Sequence, residues 1–205
     1  MTDVRIESVS PPFTDPRSGT LAARVLAYVA TIDLLEDAIR SLDLKSWSSV
    51  LAGLQEAGLG RMTPVRPMSQ GLSAEAFAAE LGRLYEAIEQ SPIPQSEWEP
   101  MRSLLGDDLL EKLLHSSRAS IQRYSSGARA TPQDVAERLH VLALVASDLS
   151  GSYNAFGVRR WFERPRAQLG GRSPAALLRS GWTPEDEPVR RIRSLAAELI
   201  GAGAT

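Results

Sequence analysis

The stretch GVRRWFERPRAQLGGRSPAALLRSG, residues 157–181, sets an aromatic pair, a proline, two adjacent glycines and a Ser-Pro step in close succession. Pro165 disfavours helical geometry in the residue before it, so the helix carrying Trp161 and Phe162 stops there. Gly170 and Gly171 permit a sharp reversal of the chain. Ser173 reads as an N-cap and Pro174 as the first residue of a short helix, with Ala175, Leu177 and Leu178 toward the core and Gly181 as its end. A last helix follows from Glu187 to Ile200. Val189, Ile192, Leu195, Ala196 and Leu199 are expected to face inward, and Arg190, Arg191 and Arg193 lie on the opposite face.

Upstream of this stretch the helical signals continue. TPQD at 131–134 reads as a helix start, with Thr131 as cap, Pro132 at N1 and Asp134 in the positive first turn. Val135, Leu139, Leu142, Val145 and Leu149 then mark one face of a long helix. Short helices are expected at 97–104 and 107–114, the first opened by a Ser96–Glu99 capping box. A further short helix lies within 116–127, opened by serine and closed by Gly127. SPIP at 91–94 cannot continue a helix and marks a domain boundary.

Before that boundary, residues 1–18 carry three prolines and read as an extended or disordered arm. Leu21, Val25, Tyr28, Ile32, Leu35, Ile39 and Leu42 repeat at alternating spacings of four and three, the a/d pattern of a helix seam. Such a seam can join two copies of the chain. Leu26, Val29 and Leu34 widen the apolar face, which favours an ordinary core helix instead. A helix over 46–58, a loop at 60–71 and a Ser73-capped helix bearing Phe77, Leu81, Leu84, Tyr85 and Ile88 complete this part. No segment alternates as a strand does. The expected fold is all-α, divided into an arm (1–18), a helical N-terminal region (19–94), a helix-turn-helix-like region (95–149) and a C-terminal module (150–205).

Bulk properties narrow the function. A chain of 205 residues with 43% hydrophobic content can bury a real core. It has no cysteine, which excludes disulfides and thiolate metal sites and fits a reducing cytoplasm. Neither a secretory leader pattern nor an apolar run of roughly 20 residues is present, so a cytoplasmic protein without membrane attachment is expected. Residues 1–100 hold 8 Lys+Arg against 14 Asp+Glu, net −6, and residues 101–205 hold 15 against 11, net +4. The positive half is almost entirely arginine, whose planar fork suits phosphate and carboxylate groups. The asymmetry fits a nucleic-acid or acidic partner, and arginine-favouring codon usage explains it equally well.

Catalysis is not expected. The chain carries no phosphate loop, zinc-protease motif or nucleophile elbow, and only two histidines, His115 and His140. Glu137 and His140 share the i, i+3 spacing of di-iron bundles, but Glu111 and His115 are four apart, so the required second motif is missing. Both histidines therefore read as surface or helix-end residues, and no metal or other cofactor is implied. LLEKLLHSSRASIQRYSSG at 109–127 outlines a helix-turn-helix, although His115 and Ser116 stand where a turn glycine is usual. In its second helix Arg118, Gln122 and Arg123 can pair with base edges, while Ser120 and Arg129 suit phosphates.

The order Trp161, Pro165, LGGRSP and the leucine pair before Gly181 resembles the C-terminal toxin-binding domain of the Xre/MbcA/ParS-like bacterial antitoxins. SSRASIQRYSSGARATPQDVAERLHVLALVASDL, residues 116–149, is similar to the Xre-type helix-turn-helix and connecting helix of that family. Together the likeness covers about residues 100–200, half of the chain. It implies an antitoxin that binds and blocks a RES-domain, NAD-consuming toxin and represses its own operon by binding operator DNA. It further implies toxin contacts near the C-terminus, at Arg190, Arg193, Leu199 and Ile200, with Trp161, Leu169 and Pro174 shaping that surface from within. A homodimer joined through residues 21–42, or a hetero-oligomer with the toxin, is the expected assembly. Two features depart from the family: residues 1–95 have no counterpart, and the chain closes in ELIGAGAT rather than an aromatic-glycine segment. The alternatives are a DNA-binding regulator without a toxin and a non-catalytic oligomeric scaffold.

Overall fold

Short polar caps and prolines set most helix starts in the computed structural model, which describes residues 6–35, 37–59, 72–179 and 181–202. The described residues form ten α-helices and one pair of two-residue strands, an all-α protein. The chain divides into two compact units, residues 1–93 and 94–205. None of the described helices is long and apolar enough to cross a membrane.

In the first unit, Asp15 caps helix α1 (Pro16–Thr31) by accepting from the Ser18 amide at 3.0 Å, and Pro16 opens it. The stretch expected to be a loose arm is therefore built into the fold. Ser8–Val9 (β1) pairs in parallel with Ser41–Leu42 (β2), and Phe13 is 1% exposed, its ring 5.3 Å from Trp47 and 5.1 Å from Phe77. An aromatic among prolines was the available signal. Helix α2 (Leu44–Glu56) starts at an Asp43–Ser46 capping box, and α3 (Ala74–Glu89) at Ser73. The loop expected at 60–71 lies outside the described residues.

Of the two readings of residues 21–42, burial supports the core residues over the seam, and the helix is shorter than the spacing suggests. Helix α1 ends at Thr31, and Asp33 takes φ +58°, a left-handed conformation that aspartate tolerates better than most residues. Val25, Tyr28, Ile32, Leu35, Ile39 and Leu42 are all buried within this unit, the last three along non-helical chain. They are core residues, and they leave no helical stripe for a second copy.

The second unit is arranged around α7 (Gln133–Ser150). Helices α4 (Pro94–Leu105), α5 (Asp107–Leu114), α8 (Ala155–Glu163) and α10 (Glu187–Ala202) all pack on it. The expected single apolar face is too narrow a description, since every residue from Leu139 to Leu149 is buried. Neighbours on several sides require this, and Ala143 and Ala146 let them approach. Thr131 is not the cap of α7. Pro132 holds that position, and the Thr131 hydroxyl instead accepts the indole N–H of Trp98 at 2.9 Å. Likewise α4 begins at Pro94, which places Ser96 and Glu99 inside the helix rather than in a capping box.

His140, expected near the surface, is 3% exposed, and its Nδ1 lies 2.5 Å from Oε1 of Glu97, which is wholly buried. Glu137 meanwhile accepts from Gln133 at 2.9 Å, so the Glu137–His140 spacing does not form a joint ligand pair.

Candidate nucleic-acid and partner interfaces

Helices α5 and α6 (Arg118–Ser125) form the expected helix pair, and His115 makes the turn between them. His115 sits at φ +52°, ψ +40°, the left-handed conformation for which a turn glycine is usually chosen. Such a conformation costs about 1–3 kcal/mol for a residue with a side chain and persists only when its surroundings hold it. Here the imidazole Nε2 donates to the carbonyl of Leu178 at 2.8 Å. Ser117 then caps α6 by accepting from the Ser120 amide at 3.3 Å.

Ile121 and Tyr124 anchor α6, with Tyr124 stacked on Trp98 at 6.0 Å between ring centres. The opposite face is open. Arg118 is 74% exposed at its side chain, and Gln122 and Arg123 are exposed as well. Arg129 follows Gly127 and lies over the Tyr124 ring, 5.7 Å from its centre. Four of the five residues expected to meet DNA thus share one end of the unit. Ser120 differs: it is half-buried, and its hydroxyl accepts from Ser117 at 3.0 Å, so the cap already engages it. Glu111 also reaches the helix start, accepting from the Arg118 amide at 2.5 Å, and occupies a donor that a phosphate would otherwise use.

Two arginine–carboxylate pairs fix the pose of α5. Arg102 binds Asp107 through Nε at 2.8 Å and Nη2 at 3.1 Å, and its Nη1 donates to Ser125 at 3.1 Å. Arg159 of α8 pairs with Asp108 and donates to the carbonyl of Leu105. The hydrogen bonds from Arg102 and Arg159 hold the carboxyls of Asp107 and Asp108 below their ordinary range, against a smaller opposing effect of burial. A carboxylate with a depressed folded pKa adds stability above its unfolded pKa and loses it as pH falls through the folded value. Urea unfolding of the second unit should therefore be easiest to provoke below about pH 5. D107N/D108N should flatten that acid limb; an unchanged limb would assign the acid sensitivity to other groups.

The C-terminal module follows the punctuation that opened the sequence. Asn154 caps α8, accepting from the Gly157 amide at 2.9 Å, and Trp161 and Phe162 are buried edge to face. After Pro165 the chain makes a single 3-10 turn (Ala167–Leu169). It then reverses through Gly170 and Gly171, at φ +66° and +75°, so that Arg166 and Arg172 form an antiparallel bridge. Both glycines occupy the region that residues with a Cβ avoid, which is why the reversal needs two of them. Ser173 caps the one-turn helix α9 (Pro174–Leu177). Leu169, Pro174, Leu177 and Leu178 are buried, and Ala175 is half-buried.

Trp182, not singled out from the sequence, joins the module to the helix pair. It is 4% exposed, its Nε1 donates to the carbonyl of Leu113 at 2.8 Å, and its own carbonyl accepts from Arg138 at 2.8 Å. A tryptophan directly after a helix-ending glycine was the available hint. On α10, Arg190 is exposed and donates to the carbonyl of Glu185 at 2.7 Å, and Arg191 reaches that of Gln168 at 2.6 Å. Arg193 and Leu199 are half-buried, so Arg193 does not share the open face of its neighbours, and the side chain of Ile200 lies outside the described residues. Leu195, expected inward, is also half-buried.

Comparison of the chain with family models, with curated proteins and with solved structures gives no match.

Proposed function

We propose that the chain is the antitoxin of a type II toxin–antitoxin pair, which binds and blocks a RES-domain, NAD-consuming toxin and represses its own operon. The observation behind this reading is the joining of two pieces that the resemblance assigns to one family. The α5–α6 pair and the glycine–proline module lie in one unit, tied by Trp182 to the Leu113 carbonyl and by His115 to that of Leu178. Repression falls to the open face of α6, and toxin contact to α10 and the residues after it.

For operator binding, Arg118→Ala or Arg123→Ala should each cost about 1–3 kcal/mol if it pairs with a base edge, and affinity should fall steeply with salt. Gel-shift titration against the chain's own promoter measures both. Undiminished binding by R118A/R123A would remove α6 as the recognition helix.

A further inference from the structure

One side of α8 and the residues on either side of Pro165 border an open recess of about 370 Å³ in the second unit. Phe156, Arg160 and Arg164 line it at successive i, i+4 positions, together with Tyr153, Trp161 and Arg166. Gly157, also on the lining, lets the Tyr153 side chain pack closely, since a Cβ there would stand 3.0 Å from it. None of the lining residues is a carboxylate, and three of them carry guanidinium groups.

Trp161 is 1% exposed, and its Nε1 has no acceptor among the described residues. The Arg166 guanidinium lies over the Trp161 ring, 4.5 Å from its centre, and its Nε is likewise buried without an acceptor. Burial depresses the Arg166 pKa, against a smaller opposing effect of the Tyr153 side chain, which hydrogen-bonds the guanidinium. An anion on the accessible side of the guanidinium offsets that desolvation.

Phe156, at 70% exposure, is the most exposed of the large apolar side chains on the described surface, and it stands at the mouth of the recess. An aromatic face beside arginines is how proteins hold a nucleobase next to its phosphate. Arginine prefers planar bidentate oxyanions, and three of them exceed what a single carboxylate needs. A volume of about 370 Å³ lies at the small end of ligand pockets and accommodates a mononucleotide.

We propose that this recess is a binding site for a free nucleoside monophosphate, with the phosphate on Arg160, Arg164 and Arg166 and the base against Phe156. The site is independent of the toxin and operator reading above.

Isothermal titration of the full-length protein with AMP, adenosine, inorganic phosphate and a 5′-phosphorylated single-stranded oligonucleotide tests it. AMP should bind saturably at or below millimolar concentration and more tightly than phosphate or adenosine. R160Q/R164Q should weaken AMP by about tenfold or more, and F156A should weaken AMP while leaving the phosphate response unchanged. Both variants alter exposed side chains, and circular dichroism checks that each stays folded. Absence of saturable AMP binding would overturn the proposal. So would AMP affinity equal to that of inorganic phosphate, insensitivity to R160Q/R164Q, or binding confined to the oligonucleotide.

Discussion

Replacing Glu97 by alanine should destabilise the second unit by about 3–5 kcal/mol, the cost of breaking a buried pair by removing one partner. Glu97 on α4 has no exposed surface, and His140 on α7 has almost none, so their 2.5 Å contact crosses the packed interface between the two helices. Alanine leaves the imidazole facing a cavity where a carboxylate stood, and no water replaces that partner at full strength. Replacing both residues with leucine removes the two polar groups together and should cost far less, because a well-packed apolar pair often matches a buried polar one. Urea unfolding of E97A and of E97L/H140L measures the difference. A loss below about 1 kcal/mol for E97A would mean that the pair is not the polar centre of this interface.

Trp182→Ala should be comparably severe, at about 3–5 kcal/mol for the loss of a buried tryptophan. The indole fills the space between the glycine–proline module and the helix pair, and caps the Leu113 carbonyl at the last turn of α5. Arg138 also loses a neighbour, since its guanidinium lies 5.9 Å from the centre of the Trp182 ring. Trp182→Phe keeps most of the volume and loses the N–H donor, which should cost about 1–3 kcal/mol for the Leu113 carbonyl left unmet. Hydrogen exchange separates these effects: W182F should raise exchange at the end of α5 and in the His115 turn, with the interior of α7 still protected. Uniform loss of protection in W182F would show that Trp182 supports the whole unit rather than this junction.

The sequence was most legible where a local rule sufficed. A serine before α6, Ser173 and Pro174 at α9, and the paired glycines at 170–171 each act on backbone close by in sequence, and each stands where it was expected. Long-range partners were illegible. Thr131 and Pro132 look like a helix start in isolation, but Trp98, distant in sequence, claims the threonine hydroxyl. His140 has Glu137 one turn away, yet its partner lies on α4, and no spacing rule connects positions 97 and 140. The seam from Leu21 to Leu42 misled because buried residues on extended chain happened to continue a heptad rhythm past the helix end at Thr31. Among the candidate contacts, side-chain exposure was more legible on α6 than on α10. Exposure follows from a short helix with two anchors, whereas burial of Arg193 on α10 depends on neighbours that periodicity does not reveal.

The antitoxin reading is tested most directly by NAD turnover of the RES-domain toxin from the same operon, measured with and without the full-length chain. Equimolar chain should form a complex with the toxin and stop turnover, and a chain lacking residues 197–205 should inhibit less while binding the operator as before. Undiminished NAD consumption in the presence of a saturating excess of the intact chain would contradict the account.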